Sequence, residues 1–71
     1  MRLNIVAILQ LIEEKFRGNE SFFAETIGVD RSYLNKILHK KVIDHSPKVC
    51  LGVIKYCMEN NLNCKNYIFL T

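Results

Sequence analysis

The stretch from Glu20 to His39, ESFFAETIGVDRSYLNKILH, limits what this chain can become more than any other part of it. Phe23, Ala24 and Ile27 recur three and four residues apart, so they share one face of a helix. Gly28 comes next, and glycine ends a helix with positive φ at no steric cost. Val29 is an apolar turn residue. Asp30 stands where an N-cap belongs, just ahead of a second periodic run, Leu34, Ile37 and Leu38. Two short helices joined by a tight turn satisfy all of these positions at once. Ala24 is small where the helices must approach each other. Phe23, Ile27, Val29, Leu34 and Ile37 have only a shared core to point into.

That packing leaves Arg31, Ser32, Asn35 and Lys36 on the outer face of the second helix, and all four can offer hydrogen bonds. A polar helix presented in this way is what a helix-turn-helix inserts into the major groove of DNA. The stretch resembles the helix-turn-helix of the Cro and lambda-repressor type regulators, the XRE family. The alanine, the glycine and the apolar residues stand at that motif's spacing. The likeness continues through Ser46–Pro47 and the helix after it, so it covers roughly Asn19 to Leu70.

The resemblance implies an all-α, lambda-repressor-like bundle of four to five short helices forming one domain. It also implies a sequence-specific regulator of transcription, commonly a repressor of phage or mobile-element type in the bacterial cytoplasm. Arg31, Ser32, Asn35 and Lys36 are the expected base readers; Arg and Lys suit guanine O6 and N7, and Asn suits adenine. Asn19, Tyr33, His39, Lys40 and Lys41 are the expected phosphate contacts. Tyr33 has two roles open to it: packing over the helix-turn-helix core, or a hydroxyl contact to a phosphate. One position departs from the family pattern. Glu20 stands where a glutamine usually braces a phosphate contact, and its charge is expected to repel phosphate. Glu20→Gln is therefore expected to tighten DNA binding without changing the preferred sequence.

Charge distribution agrees with this reading better than net charge does. The formal charge is only +3, too small to demand a nucleic acid by itself. Yet between Arg31 and Lys48 stand Arg31, Lys36, Lys40, Lys41 and Lys48 against a single acid, Asp44. The basic surplus lies on and just after the proposed reading helix.

Elsewhere the chain reads as packing. A first helix is expected from about Leu3 to Arg17, with Ile5, Ile8, Leu9, Ile12 and Phe16 on one stripe. Leu3, Ala7 and Leu11 add a second stripe, which either widens the core or meets another subunit. Gly18 should stop this helix and Asn19 should cap the next. Phe22 reads as a core edge or a contact with the first helix. Val42 to His45 read as a loop with Ile43 tucked inward. Ser46 and Pro47 read as the cap and first residue of a helix that carries Val49, Val53, Tyr56 and Cys57 and ends near Asn60–Asn61. Asn63 should cap a last short turn.

A chain of 71 residues buries about 60% of its unfolded surface and is marginally stable alone. Tyr67, Ile68, Phe69 and Leu70 crowd four bulky apolar residues together. They either fold back on the core or form a dimer interface, and a homodimer on a palindromic operator is the expected assembly.

Other chemistry finds little support. Cys50, Cys57 and Cys64 recur every seven residues without the close pairs of structural zinc sites. Cys50 and Cys57 are about 10 Å apart along a helix, too far for one metal or one disulfide. They read as buried or half-buried thiols, and an odd count of cysteines suits a reducing cytosol. No nucleophile triad, phosphate-binding glycine loop, cofactor motif, small-molecule site or secretory signal is visible, and Glu13, Glu14 and Lys15 break the first apolar run too early for a membrane span. An enzyme is not expected. The rival reading, from a different class, is a protein-binding module on a helix-turn-helix scaffold, such as an anti-repressor or assembly factor.

Overall fold

The computed structural model describes residues 2–39 and 47–69. Its first helix, α1 (Ile5–Phe16), is opened by Asn4, whose side chain accepts from the Ala7 N–H at 3.3 Å. Asn4 also joins two distant parts of the chain. Its backbone N–H donates to the Tyr67 carbonyl at 2.8 Å, and its Nδ2 donates to the Asn66 carbonyl at 3.1 Å. Beside these bonds, strands β1 (Arg2–Leu3) and β2 (Ile68–Phe69) pair antiparallel, Arg2 opposite Phe69 and Leu3 opposite Ile68. Leu3 therefore does not belong to the first helix, although it continues that helix's apolar spacing. The cap at Asn4 starts the helix one residue beyond it.

The other boundaries obey the local chemistry closely. Arg17 and Gly18 both adopt positive φ, 53° and 77°, where α1 ends. Asn19 caps α2 (Glu20–Ile27) by accepting from the Phe22 N–H at 3.0 Å. Gly28, at φ 77°, closes α2, and Asp30 opens α3 (Arg31–His39) by accepting from the Tyr33 N–H at 3.1 Å. Pro47 is the first residue of α4 (Pro47–Glu59). Asn63 accepts from the Lys65 N–H at 3.0 Å and starts a 3-10 turn, Cys64–Asn66. Ser46 as a cap, the loop from Val42 to His45, Lys40, Lys41 and Leu70 lie outside the described residues. Among the described residues, four helices and a small two-stranded sheet agree with a small all-α domain.

The four helices meet in one core. Ile8, Ile12 and Phe16 of α1 share one buried cluster with Phe23, Ala24 and Ile27 of α2, Leu34 and Ile37 of α3, and Val49 and Val53 of α4. Phe16 sits at its aromatic centre, edge-on to Phe23 at 5.1 Å and 5.7 Å from Tyr56. Phe22 also meets Phe16, at 5.5 Å, while staying exposed, so it is the core edge its position suggested. The second stripe of α1 is not spare. Leu11 is buried, and Leu3 is buried within the strand pair. The exposed large apolar residue of α1 is instead Val6, 76% exposed. Among the described residues, no helix is long and apolar enough to cross a membrane.

Gly52 sets the distance between α4 and α2. A Cβ at this position would lie 2.6 Å from the Ile27 carbonyl oxygen and 3.1 Å from the Ile27 Cβ. Both are too close, and the first obstacle is backbone. Gly52→Ala is expected to destabilise the protein by about 1–3 kcal/mol, the usual range for overpacking, although alanine ordinarily favours a helix. Urea denaturation checks this; an unchanged or raised midpoint would mean that α4 has room to move away.

The cysteines of α4 make a second prediction. Cys57 is buried, and burial pushes its thiol up to about 11, helped by the charge and hydrogen bond of Cys64. Burial, with Cys57 and Tyr67 behind it, also raises the half-buried Tyr56 hydroxyl. Both groups hold their protons longer in the folded protein than in the unfolded chain. The unfolded state thus binds fewer protons in this window, and stability falls as pH rises. The thiol's contribution is complete below its ordinary value, 9.0, and is lost as pH climbs through about 11. Denaturation midpoints measured under reducing conditions should be level at neutral pH and fall on the alkaline side, and Cys57→Ala should flatten part of that fall.

Candidate nucleic-acid interface

The amphipathic pattern of α3 determines what the surface presents. With Leu34, Ile37 and Leu38 buried, the helical period turns Arg31, Ser32, Asn35 and Lys36 outward, and all four are exposed. The start of α2 lies alongside. Together they border an open groove of about 560 Å³, with Gly18, Asn19, Glu20 and Ser21 on one wall and Arg31, Ser32, Asn35 and Lys36 on the other. All four expected base readers and one expected phosphate contact, Asn19, thus share one concave surface.

Several of these side chains are already engaged across the groove. Arg31 Nη1 donates to Ser21 Oγ at 3.4 Å. Asn35 Nδ2 donates to Glu20 Oε1 at 3.3 Å. The other carboxylate oxygen, Oε2, lies 2.6 Å from His39 Nε2. Asn35 and His39 are one helical turn apart on α3, so a single carboxylate at the start of α2 reaches both. Asn19 uses its Oδ1 to cap α2, which leaves its Nδ2 as the outward group. Ser32 and Lys36 have no such partner among the described residues.

The remaining expected contacts fall around the edges. Tyr33 is exposed, 41% of its surface open. His39 is exposed but tied to Glu20. Asp30 is engaged by the Tyr33 N–H, so its carboxylate is drawn to the end of α3. Of the expected dimer residues, Ile68 is 2% exposed and belongs to the core of its own chain, and Tyr67 is half-buried. Phe69 stays open at 44%, with the Arg2 guanidinium 5.4 Å from its ring centre.

Residue-by-residue reading misses two features of the site: the Glu20 bridge and the Ser21 contact. Their partners are 19, 15 and 10 positions away in sequence. Only the i, i+4 spacing of Asn35 and His39 hints that one acceptor could serve both. No cluster of three or more His, Cys, Asp or Glu able to hold a metal occurs among the described residues. No known protein family, characterised protein or solved structure matches the chain.

Proposed function

We propose that this protein binds double-stranded DNA in a sequence-specific way and acts as a transcriptional regulator. The observation that carries this reading is the outward face of α3. Four hydrogen-bonding side chains, two of them basic, line one groove, while the apolar positions of the same helix are buried. A short helix lying on the surface with its polar face open is what a major groove about 12 Å wide admits. Arg31, Ser32, Asn35 and Lys36 read base edges. Asn19 and Tyr33 hold phosphates beside them, and His39, Lys40 and Lys41 extend the backbone contacts past the end of α3. The resemblance to Cro and lambda-repressor type regulators adds the further reading of a repressor of phage or mobile-element type.

Size argues for two copies. The Cα body measures 24 × 24 × 19 Å. At roughly 3.4 Å per base pair, one copy spans at most about seven. Two copies related by a two-fold axis would set their reading helices about 34 Å apart, one turn of DNA. Because Ile68 is committed to its own core, the pairing surface falls to Phe69 and the residues around it.

A shift assay on random duplex at low salt, and then selection of bound sequences from a random pool, tests the function. Absence of any salt-dependent affinity would favour the protein-binding module instead. Arg31→Ala is expected to cost about 1–3 kcal/mol on the selected site and to relax preference at one base pair. A uniform loss across all sequences would restrict Arg31 to the backbone. Phe69→Asp is expected to abolish the dimer in light scattering while circular dichroism keeps its helical signal. A protein that remains monomeric at high concentration, both free and on DNA, would rule out the pairing.

A further inference from the structure

The Glu20 carboxylate does more in this groove than place a charge near phosphate. One oxygen is held by His39 at 2.6 Å and the other receives the Asn35 amide at 3.3 Å. Its side chain is only 23% exposed, so it is braced from two sides. A carboxylate only accepts hydrogen bonds, whereas a primary amide has one accepting end and one donating end. Glu20 therefore selects which end of Asn35 it engages. It takes the donor, Nδ2, and leaves the acceptor, Oδ1, for the groove.

We propose that Glu20 determines which base Asn35 reads, by turning the Asn35 amide oxygen toward the DNA. The proposal rests on the reading of α3 as the helix that enters the major groove. A free asparagine pairs with adenine through both amide ends, accepting from N6 and donating to N7. The bond to Glu20 uses one of the two N–H groups of Asn35 and draws the nitrogen to the α2 wall, so the amide presents its oxygen to the groove. It favours a base that carries an exocyclic amine in the major groove, adenine or cytosine, and disfavours the keto bases guanine and thymine. Glu20 is thus a positioning residue for specificity, and His39 holds it in place from the next turn of α3.

Glu20→Gln then has a different expected outcome from the simple removal of a charge. With His39 keeping the Nε2 proton that it donates to the carboxylate, glutamine's one accepting oxygen stays with His39 and its other end donates. Asn35 must offer its oxygen to that donor and turn Nδ2 into the groove. The preferred base on the contacted strand should change from adenine or cytosine to guanine or thymine, with a swing of roughly tenfold, the size of one hydrogen bond.

The experiment compares sequences selected from a random duplex pool by the wild-type protein, Asn35→Ala, Glu20→Gln and Glu20→Ala. Asn35→Ala identifies the base pair by losing preference there alone. The supporting result is adenine or cytosine at that position for the wild type, a keto base for Glu20→Gln, and adenine favoured over cytosine for Glu20→Ala, in which both ends of the freed amide can pair with adenine. A base preference for Glu20→Gln that matches the wild type's overturns the proposal while leaving DNA binding intact, as does a Glu20→Ala variant that distinguishes adenine from cytosine no better than the wild type. A keto base selected by the wild type overturns it as well. If the wild type selects no sequence at all, the proposed function fails first and takes this inference with it. Circular dichroism of each variant accompanies the selection; if Glu20→Gln does not fold, Glu20→Ala still decides the outcome.

Discussion

The packing of α2 against its neighbours is the constraint on which the rest of the structure depends. Its eight residues touch α1, α3 and α4. Phe23 meets Phe16 of α1 and Tyr56 of α4, and Ile27 lies directly against Gly52. A helix so short has little stability of its own, so its orientation is inherited from these contacts. The orientation of α3 is inherited in turn, because only Gly28, Val29 and Asp30 separate the two helices and Gly28 makes the turn. The exposed polar surface thus depends on Gly52, a residue of α4 that takes no part in lining it.

The local features are legible from the residues alone. Asn19, Asp30 and Asn63 each cap the helix or turn that begins beside them, Gly28 takes positive φ, and the apolar positions of α2 and α3 are buried as their spacing requires. Each of these depends on neighbours within four or five residues, where helical geometry dictates contact. The features that escape are long-range. Two-residue strands have no period to detect, so the pairing of Arg2–Leu3 with Ile68–Phe69 leaves no local trace. Asn4 has the chemistry of a cap, but the apolar stripe runs one position past it through Leu3 and masks the helix start. Gly52 reads as an ordinary helical residue until Ile27 is placed against it.

The apolar surface beyond the motif behaves in the same way. Leu3, Leu11 and Ile68 read as surplus when each segment is taken separately, because a lone helix and a lone strand both expose what they cannot bury. In the folded chain all three join one core. The sheet that carries Leu3 and Ile68 is minimal, yet it adds both to that core and leaves Phe69 as the exposed remainder. For a chain of this size, where the buried fraction is low, such mutual covering takes Leu3, Leu11 and Ile68 out of the surface and leaves Phe69 available on it.

The groove itself combines two kinds of polar group with different consequences for binding. Ser32 and Lys36 are open, so a ligand that engages them must first restrict their full side-chain freedom. Arg31 and Asn35 are already steered by Ser21 and Glu20. Side chains ordered during folding lose less freedom on association. The two steered contacts differ, however. Arg31 has five N–H donors and uses one on Ser21, so it can retain that bond and still face a base with the others. Asn35 has two donor hydrogens on one nitrogen and a single amide oxygen, and the bond of that nitrogen to Glu20 draws it to the α2 wall, which in the proposed reading leaves the oxygen for the groove. The wall formed by α2 therefore constrains Asn35 chemically and Arg31 only sterically, which is why the proposed control of base choice falls on Glu20 and not on Ser21.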